Sequence, residues 1–182
     1  MVHKDATLPF PVLTNDTYTS SVQTATAMLG KQTTLENNSL DRFVKACSML
    51  KTFNESNSKV PVVDFAFSVL DKVAQGNFTK WSIVYDISHK EIHFKTADNK
   101  DIKIVRFATF DLGCSHPARM FNMNQDGKGD VSKSFVLSDK KIRQIVLHQA
   151  IMESSSRFTI SAKREDEMLN YEESITCRKQ GP

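Results

Sequence analysis

The sequence predicts an α+β domain in which three helices precede an antiparallel three-stranded meander and one helix follows it. In the N-terminal part, apolar residues recur every three or four positions, which is the spacing of one helix face. From Trp81 to Arg106 the period changes to two, which is typical of strands that bury one face. The chain has 182 residues, 40% hydrophobic and 25% charged, so its composition is that of a globular domain.

The N-terminal part predicts an extended segment and three helices. Residues 9–14 contain two prolines and a β-branched run, and predict an extended segment that leads into a short strand. The first helix is predicted from about Thr19 to Leu29, with Gly30 as its left-handed C-terminal residue. Ser39 is predicted to cap the second helix, and Pro61 suits the first turn of the third. The apolar faces of these two helices are Leu40, Phe43, Val44, Cys47 and Leu50, and Val63, Ala66, Phe67, Leu70 and Val73.

The alternating stretch predicts the meander itself. Residues 81–87, 92–96 and 102–106 are the three strands, and the polar segments 88–90 and 98–100 are the tight turns that join them. The second strand is predicted to turn one face to water, because one side of it is polar: Glu91, His93 and Lys95.

The remainder of the chain predicts less order. Residues 107–138 are rich in turn formers and are predicted to be irregular. A last helix is predicted over residues 139–153, and one face of it carries Ile142, Ile145, Val146, Gln149 and Ala150. We therefore divide the chain into one domain, residues 1–153, and a polar tail or solvated helix, residues 154–182.

Composition excludes several classes of function. Lys and Arg number 24 and Asp and Glu 21, and this dispersed net charge of +3 gives no reason to expect nucleic acid as a partner. No run of about 18 apolar residues is present, so no membrane partner is expected. Residues 1–5 have no signal-peptide pattern, which leaves both the periplasm and the cytoplasm open. The three cysteines are too widely spaced for a disulfide framework or a zinc pair.

No complete active site can be assembled from the residues alone. Residues 122–127 are similar to the start of a calcium loop, but Lys133 occupies the twelfth position, where that loop needs an acid; a polar turn is favoured instead. Cys47 lies on a helix face as a small buried hydrophobe, and Cys114 near His116 matches no known catalytic signature. The five histidines give no zinc ligand pattern: His3, His89, His93, His116 and His148. We expect no cofactor and no metal.

The order of several segments nevertheless resembles a known family. These segments are Val12-Leu13-Thr14-Asn15-Asp16 with Tyr18, Asp41-Arg42-Phe43-Val44-Lys45-Ala46, Trp81-Ser82-Ile83-Val84-Tyr85-Asp86, Ile92-His93-Phe94-Lys95-Thr96, Phe110-Asp111-Leu112-Gly113-Cys114 and Gly129-Asp130-Val131. Together they resemble the C-terminal half of the choloylglycine hydrolases, the linear amide C–N hydrolases that include penicillin V acylase and bile salt hydrolase. The resemblance covers roughly residues 10–150.

This resemblance implies part of the αββα sandwich of N-terminal-nucleophile hydrolases. In that family the nucleophile is a processed N-terminal cysteine, and its own α-amino group, with a pKa of about 8, serves as the base. Asn15 matches the asparagine that helps to form the oxyanion hole, although such a residue could also be a helix cap or turn residue. Arg42 matches an arginine near the nucleophile, where it would favour the thiolate and the anionic intermediate; otherwise it is a surface helix residue.

The sequence also departs from the family pattern. Asp41 replaces a common serine and Lys45 a second arginine, and a shorter connection between Asn15 and Arg42 makes bile salts the less favoured substrates. The cysteine-bearing half is missing, and none of Cys47, Cys114 and Cys177 is a first residue. The implied partners are a small amide substrate, once the other half is supplied, and a second polypeptide half or another copy of the chain.

Two other hypotheses remain open. The chain could be a non-catalytic remnant, or a binding domain on the same scaffold, and a half sandwich would expose apolar surface that promotes self-association. It could also be an unrelated small α+β binding domain whose sheet is covered by its own four helices.

Overall fold

Three helices lead into the sheet in the computed structural model, which describes residues 8–31, 38–53, 59–113, 116–154 and 159–175. The helices are α1 (Tyr18–Met28), α2 (Ser39–Thr52), α3 (Val62–Lys72), α4 (Lys140–Ser154), α5 (Ala162–Leu169) and α6 (Tyr171–Ser174). The strands are β1 (Trp81–Asp86), β2 (Glu91–Thr96), β3 (Lys103–Arg106), β4 (Arg119–Met120), β5 (Gly129–Asp130) and β6 (Val136–Leu137). The predicted α+β class is confirmed.

The predicted meander forms the main sheet, whose strand order is β1-β2-β3-β5. β1, β2 and β3 pair antiparallel, and Phe94 in the middle strand stands opposite Ile83. β5 then adds parallel to β3, with Asp130 opposite Ile104, whereas residues 107–138 were predicted to be irregular. β4 and β6 pair as a separate antiparallel ribbon.

The segment before α1 forms no strand, so the predicted short strand within residues 9–14 is wrong. Instead the Tyr18 hydroxyl accepts a hydrogen bond from the Phe10 backbone N–H at 3.1 Å and donates to the Phe10 carbonyl at 2.8 Å. The backbone groups of Phe10 are thus satisfied by a side chain of α1 rather than by a neighbouring strand.

The first helix has the predicted extent to within one residue, and Gly30 has a positive φ of 82° at its C-terminal end. The second helix is capped by Asn38 and not by Ser39, because the Asn38 side chain accepts from the Asp41 backbone N–H at 3.0 Å. Both residue types are good caps, so sequence alone does not separate them. The Ser39 hydroxyl accepts instead from the Asp16 backbone N–H at 2.8 Å.

The helical layer has its own core between α1 and α2. Phe43 is fully buried at its centre, and its ring meets those of Phe10 and Tyr18 edge to face at 6.1 and 6.0 Å between centroids. The other buried members are Ala25, Val44 and Cys47. Phe53 at the end of α2 stacks on Phe65 of α3 at 3.9 Å, which joins α3 to this layer.

α3 packs on the face of the sheet that carries the polar side chains of β2. Lys95 forms an ion pair with Asp71 of α3 at 2.8 Å, and its Nζ lies 5.3 Å from the centroid of the Phe67 ring. On the same face His93 is only 8% exposed. The prediction that this face is open to water is therefore wrong, because a helix covers it.

The opposite face of the sheet is covered by the segment that was predicted to be irregular. Phe94, Val105 and Val131 are the buried residues of a second core. The half-buried residues packed against them are Ile83, Ile92, Phe110, Phe121, Met123 and Phe135. Four of these six come from residues 110–135, which contribute apolar side chains although they contain little regular structure.

The C-terminal helices attach loosely to the rest. α4 begins one residue later than predicted, and its predicted apolar face is largely exposed, with Ile145 66% and Val146 61% accessible. Arg143 of α4 pairs with Glu172 and Glu173 of α6. The division at residue 153 stays a prediction. Within the ranges described, no helix is long and apolar enough to cross a membrane.

Candidate active site

Asn15 and Arg42, the two residues implicated by the family resemblance, lie in direct contact. Nη2 of Arg42 donates a hydrogen bond to Oδ1 of Asn15 at 3.0 Å, across 27 positions of sequence. Asn15 occupies the turn before α1, and Arg42 lies in the first turn of α2. The fold therefore brings two separate helix starts together at this point.

Backbone contacts hold these two helix starts in place. The bond from the Asp16 N–H to the Ser39 hydroxyl joins the residue after Asn15 to the first residue of α2. The Asp16 carboxylate accepts from the next backbone N–H, that of Thr17, at 2.7 Å. These two bonds tie the residue after Asn15 to the starts of both helices, in addition to the bond from Arg42.

The direction of the hydrogen bond fixes the orientation of the Asn15 amide. A guanidinium carries only donors, so the atom it contacts must be the amide oxygen. The Asn15 Nδ2 group, with its two N–H donors, is then directed away from Arg42. Asn15 is an exposed residue, so a group that approaches this side can reach those donors.

The two departures from the family pattern on α2 contact each other. Asp41 is fully buried, and its Oδ2 lies 3.3 Å from Nζ of Lys45, one helical turn later. A buried carboxylate requires a compensating cation, and Lys45 provides it at helical i,i+4 spacing. The aspartate and the lysine therefore act as a pair beside Arg42.

Two further polar atoms near this contact are buried and have no hydrogen-bond partner within the described ranges. They are Nε of Arg42 and the hydroxyl oxygen of Thr14. Thr14 directly precedes Asn15 in the sequence. Buried polar groups are usually satisfied, so these two atoms are exceptions in the described part of the chain.

The described chain offers no reactive thiol at this place. Cys47 is 3% exposed within the α1–α2 core, and burial raises the pKa of its thiol to about 11. A thiol of that kind is protonated and unreactive near neutral pH. Cys114 and Cys177 lie outside the described residues.

The segment similar to a calcium loop is a polar turn, as favoured by its sequence. Asn122 accepts from the Asn124 backbone N–H at 3.0 Å, and the Asn124 amide donates to Asp98 at 3.1 Å. Among the described residues no group of three His, Cys, Asp or Glu side chains could hold a metal ion.

Sequence reasoning missed an ion-pair network that crosses three strands. Arg106 of β3 contacts Glu91 of β2 at 2.7 Å and Asp130 of β5 at 3.0 Å. The hydrogen bond from Arg106 lowers the pKa of Glu91, and the Ser132 hydroxyl and N–H lower the pKa of Asp130. Strand register could have placed Arg106 opposite Glu91, but the parallel pairing of β5 with β3, which brings Asp130 near Arg106, carried no local sequence signal.

Sequence reasoning also missed a cavity of about 520 Å³ between the sheet and residues 107–135. The alternation of β1–β3 predicted an apolar face but did not indicate what lies over it. Six aromatic side chains line the cavity: Tyr85, Phe94, Phe107, Phe110, Phe121 and Phe135.

Comparison with known proteins supports the fold. The sequence matches no protein-family profile and no curated protein sequence. Among solved structures, the chain is similar to penicillin V acylase from Agrobacterium tumefaciens, with a TM-score of 0.55 and 20% sequence identity. The alignment covers 70% of this chain and 47% of the acylase, so the chain spans about half the length of that structure. Over the aligned part, the chain therefore has the fold of this penicillin V acylase.

Proposed function

Because this chain has the fold of a penicillin V acylase, we propose that it is part of a hydrolase of linear, non-peptide amide bonds. Asn15 is the oxyanion donor in this proposal, and Arg42 positions it. The observation that carries the proposal is the 3.0 Å hydrogen bond from Arg42 to the Asn15 amide oxygen. It leaves the Nδ2 donors of Asn15 available at an exposed position.

The chemistry follows from that orientation. A thiolate attacks the amide carbon, a C–S bond forms, and the carbonyl oxygen becomes an oxyanion. The Asn15 N–H groups donate to this oxygen more strongly in the transition state than in the substrate, because the negative charge develops there. The C–N bond then breaks as the leaving amine takes a proton, and water hydrolyses the thioester to the free acid.

Arg42 contributes charge as well as orientation. A guanidinium that donates to the Asn15 oxygen polarises the amide and makes its N–H groups stronger donors. Its positive charge also favours both the attacking thiolate and the oxyanion. The buried Nε of Arg42 and the hydroxyl of Thr14 are further polar groups that could bind the substrate or the rest of the site.

In this proposal the nucleophile is supplied by residues outside these 182 positions. The family resemblance implies a processed N-terminal cysteine, and Cys47 cannot replace it because that thiol is buried with a pKa of about 11. The partner in this proposal is therefore the complementary half of the sandwich, in the same polypeptide or in a second one. Penicillin V-like amides and N-acyl homoserine lactones are the favoured substrates, ahead of bile salts.

The first experiment is to sequence the gene upstream of the Met1 codon and to determine the intact mass of the natural product. An encoded cysteine that becomes a first residue after processing would support the proposal.

Hydrolysis of penicillin V should then depend on Asn15 in the complete protein. Asn15→Ala should abolish most activity, whereas Asn77→Ala, at an exposed asparagine of a 3-10 turn, should not. Equal activity of the two variants would contradict the assignment of Asn15.

A non-catalytic binding domain on the same scaffold is the second candidate, and exposed apolar surface favours it. Trp81 and Tyr85 of the edge strand β1 are 59% and 64% exposed, and Ile145 of α4 is 66% exposed. We expect this surface to be covered by a second polypeptide or by another copy of the chain. Size-exclusion chromatography with light scattering tests this. A stable monomer that melts cooperatively and binds no apolar dye would contradict it.

A further inference from the structure

We propose that the free edge of β1 binds a second copy of this chain, through antiparallel pairing of the two β1 strands. β1 lies at one end of the main sheet, and within the described ranges no strand pairs with its outer edge. A free edge promotes pairing with another chain unless charges, prolines or bulges protect it. The interior of β1, Ser82-Ile83-Val84-Tyr85, contains neither a charge nor a proline. This inference rests on the second candidate function, the binding domain, and names its partner.

The backbone of β1 presents three residues to this edge. The Ala97 N–H donates to the Lys80 carbonyl at 2.8 Å, so Lys80 directs its backbone groups towards β2. Backbone groups alternate in direction along an antiparallel strand, so the next residue and every second one after it face away from β2. These residues are Trp81, Ile83 and Tyr85. Two copies can share hydrogen bonds only in registers that place these residues opposite one another.

One such register matches both the aromatic side chains and the charges. With Ile83 opposite Ile83 of the second copy, Trp81 lies opposite Tyr85, which forms an aromatic cross-strand pair at each end of the contact. In the same register Lys80 lies opposite Asp86, so opposite charges face each other twice. Because this contact is two-fold symmetric, it closes on itself and predicts a dimer rather than a filament.

The neighbouring registers lack this match. A shift by two residues places Lys80 opposite Val84 or Ser88, so the charges are no longer paired. A shift by one residue places backbone groups that face β2 opposite groups that face away from it, and no ladder of hydrogen bonds forms. The sequence of β1 therefore favours a single register for self-pairing.

The side chains that this register pairs are accessible. Trp81 and Tyr85 are largely exposed, and Lys80 is exposed without an ion-pair partner in the described part of the chain. Asp86 accepts from the His89 N–H at 3.0 Å and lies 2.8 Å from the His89 Nδ1, and its side chain stays 15% exposed. A carboxylate has about four acceptor positions, so Asp86 can also bind Lys80 of a second copy.

Sedimentation equilibrium of the 182-residue protein measures the dissociation constant of the dimer. We expect a species of about twice the chain mass of 20.6 kDa. Lys80→Glu and Asp86→Lys each place like charges opposite each other at two points, so each should weaken dimerisation at least about tenfold. Lys100→Glu makes the same change of charge at an exposed residue of the β2–β3 turn and should leave the dimer unchanged.

A mixture of the two variants distinguishes charge pairing from damage to the fold. In a mixed dimer of Lys80→Glu and Asp86→Lys, both like-charge contacts become contacts between opposite charges. The mixture should therefore dimerise about as well as the wild type. Native mass spectrometry, with one variant labelled with ¹⁵N, identifies the mixed dimer.

A cysteine in the middle of β1 tests the register itself. Ile83→Cys, with Cys114→Ser and Cys177→Ser, should form an intermolecular disulfide, because Cα atoms of opposed residues lie about 5.5 Å apart, within disulfide range. Ile87→Cys in the same background should not, since position 87 lies opposite Thr79. Trypsin releases both positions in the peptide Trp81–Lys90, and mass spectrometry detects two such peptides joined by a disulfide.

The proposal fails if the protein is a monomer, or if a different polypeptide binds this edge in place of a second copy. A dimer that Lys80→Glu does not weaken, or that forms no disulfide through Ile83→Cys, would also overturn it. Such a dimer would still agree with the second candidate function, so the two failures are distinguishable. None of these results bears on Asn15 or Arg42.

Discussion

Nη2 of Arg42 lies 3.0 Å from Oδ1 of Asn15, and this one hydrogen bond joins the first turn of α2 to the turn before α1. It orients an amide whose nitrogen then points away from the arginine. The ion pair between Asp41 and Lys45 lies on the same helix, and its two residues flank Arg42 in the sequence.

The first prediction concerns the Asn15 amide. In the complete enzyme, Asn15→Ala should lower kcat for penicillin V by about 10²–10³, the usual effect of losing one oxyanion donor, with little change in KM. Asn15→Asp should be at least as damaging, because its carboxylate would repel the oxyanion. Asn77→Ala is the matched control. A change in KM alone would show that Asn15 binds substrate but does not stabilise the transition state.

The second prediction is that Arg42 acts through Asn15. Arg42→Ala should lower kcat, and the double variant with Asn15→Ala should be much less impaired than the product of the two single effects predicts, because residues that act as a unit are not additive. Arg42→Lys should restore only part of the activity, since an ammonium lacks the planar geometry of a guanidinium. If the kcat loss of the double variant equals the product of the two single losses, Arg42 and Asn15 act independently.

The third prediction concerns the stability of the helical layer. Phe43 is fully buried against Phe10 and Tyr18, so Phe43→Ala should lower the free energy of unfolding by about 3–5 kcal/mol. Phe78 is 74% exposed, so Phe78→Ala should change the free energy of unfolding by less than about 0.5 kcal/mol. Urea unfolding followed by far-UV circular dichroism measures both. Similar losses for the two variants would mean that α1 and α2 do not pack as described.

The fourth prediction concerns the reactivity of Cys47. Burial raises the pKa of this thiol to about 11, so iodoacetamide at pH 8 should modify it very slowly in the folded protein and rapidly in urea. Trypsin releases it in the peptide Ala46–Lys51, which contains no other cysteine, and mass spectrometry of that peptide measures the modification. Rapid labelling without denaturant would disprove the buried environment.

The fifth prediction concerns acid stability. The hydrogen bond from Arg106 lowers the pKa of Glu91 below its ordinary value of 4.5. A lowered folded-state pKa gives stability that is present above the unfolded value and is lost as the pH falls through the folded value. Arg106→Gln should therefore destabilise the protein above pH 4.5, and its difference from the wild type should shrink in more acidic solution. Arg164→Gln, whose ion pair with Glu167 is exposed, is the control. A difference that grows on acidification would contradict this assignment.

Local sequence patterns predicted the helices and strands better than they predicted how these elements pack and pair. Three- and four-residue spacing identified the buried positions of Phe43 and Phe67, and alternation identified the strand that contains Phe94. The burial of His93 could not be read from alternation, because it depends on the cover that α3 provides. The pairing of β5 with β3 could not be read either, since a two-residue strand has no period and its partner lies far back in the chain.

The candidate site shows the same limit. Residues alone gave Asn15 the alternative interpretation of a cap or turn residue, and Arg42 that of a surface residue. Only the resemblance placed them in one site, and their contact depends on the packing of α1 against α2, which no local pattern encodes. Their catalytic roles stay predictions.

The parallel joining of β5 to β3 also bears on the order in which the chain folds. Each hairpin of β1–β3 closes a turn of only a few residues, so it can form within microseconds. β5 can pair only after residues 107–128 have closed a long loop and lost the corresponding entropy. The meander should therefore be an early folding nucleus, and the last step should be the docking of β5 with the segment that covers the cavity.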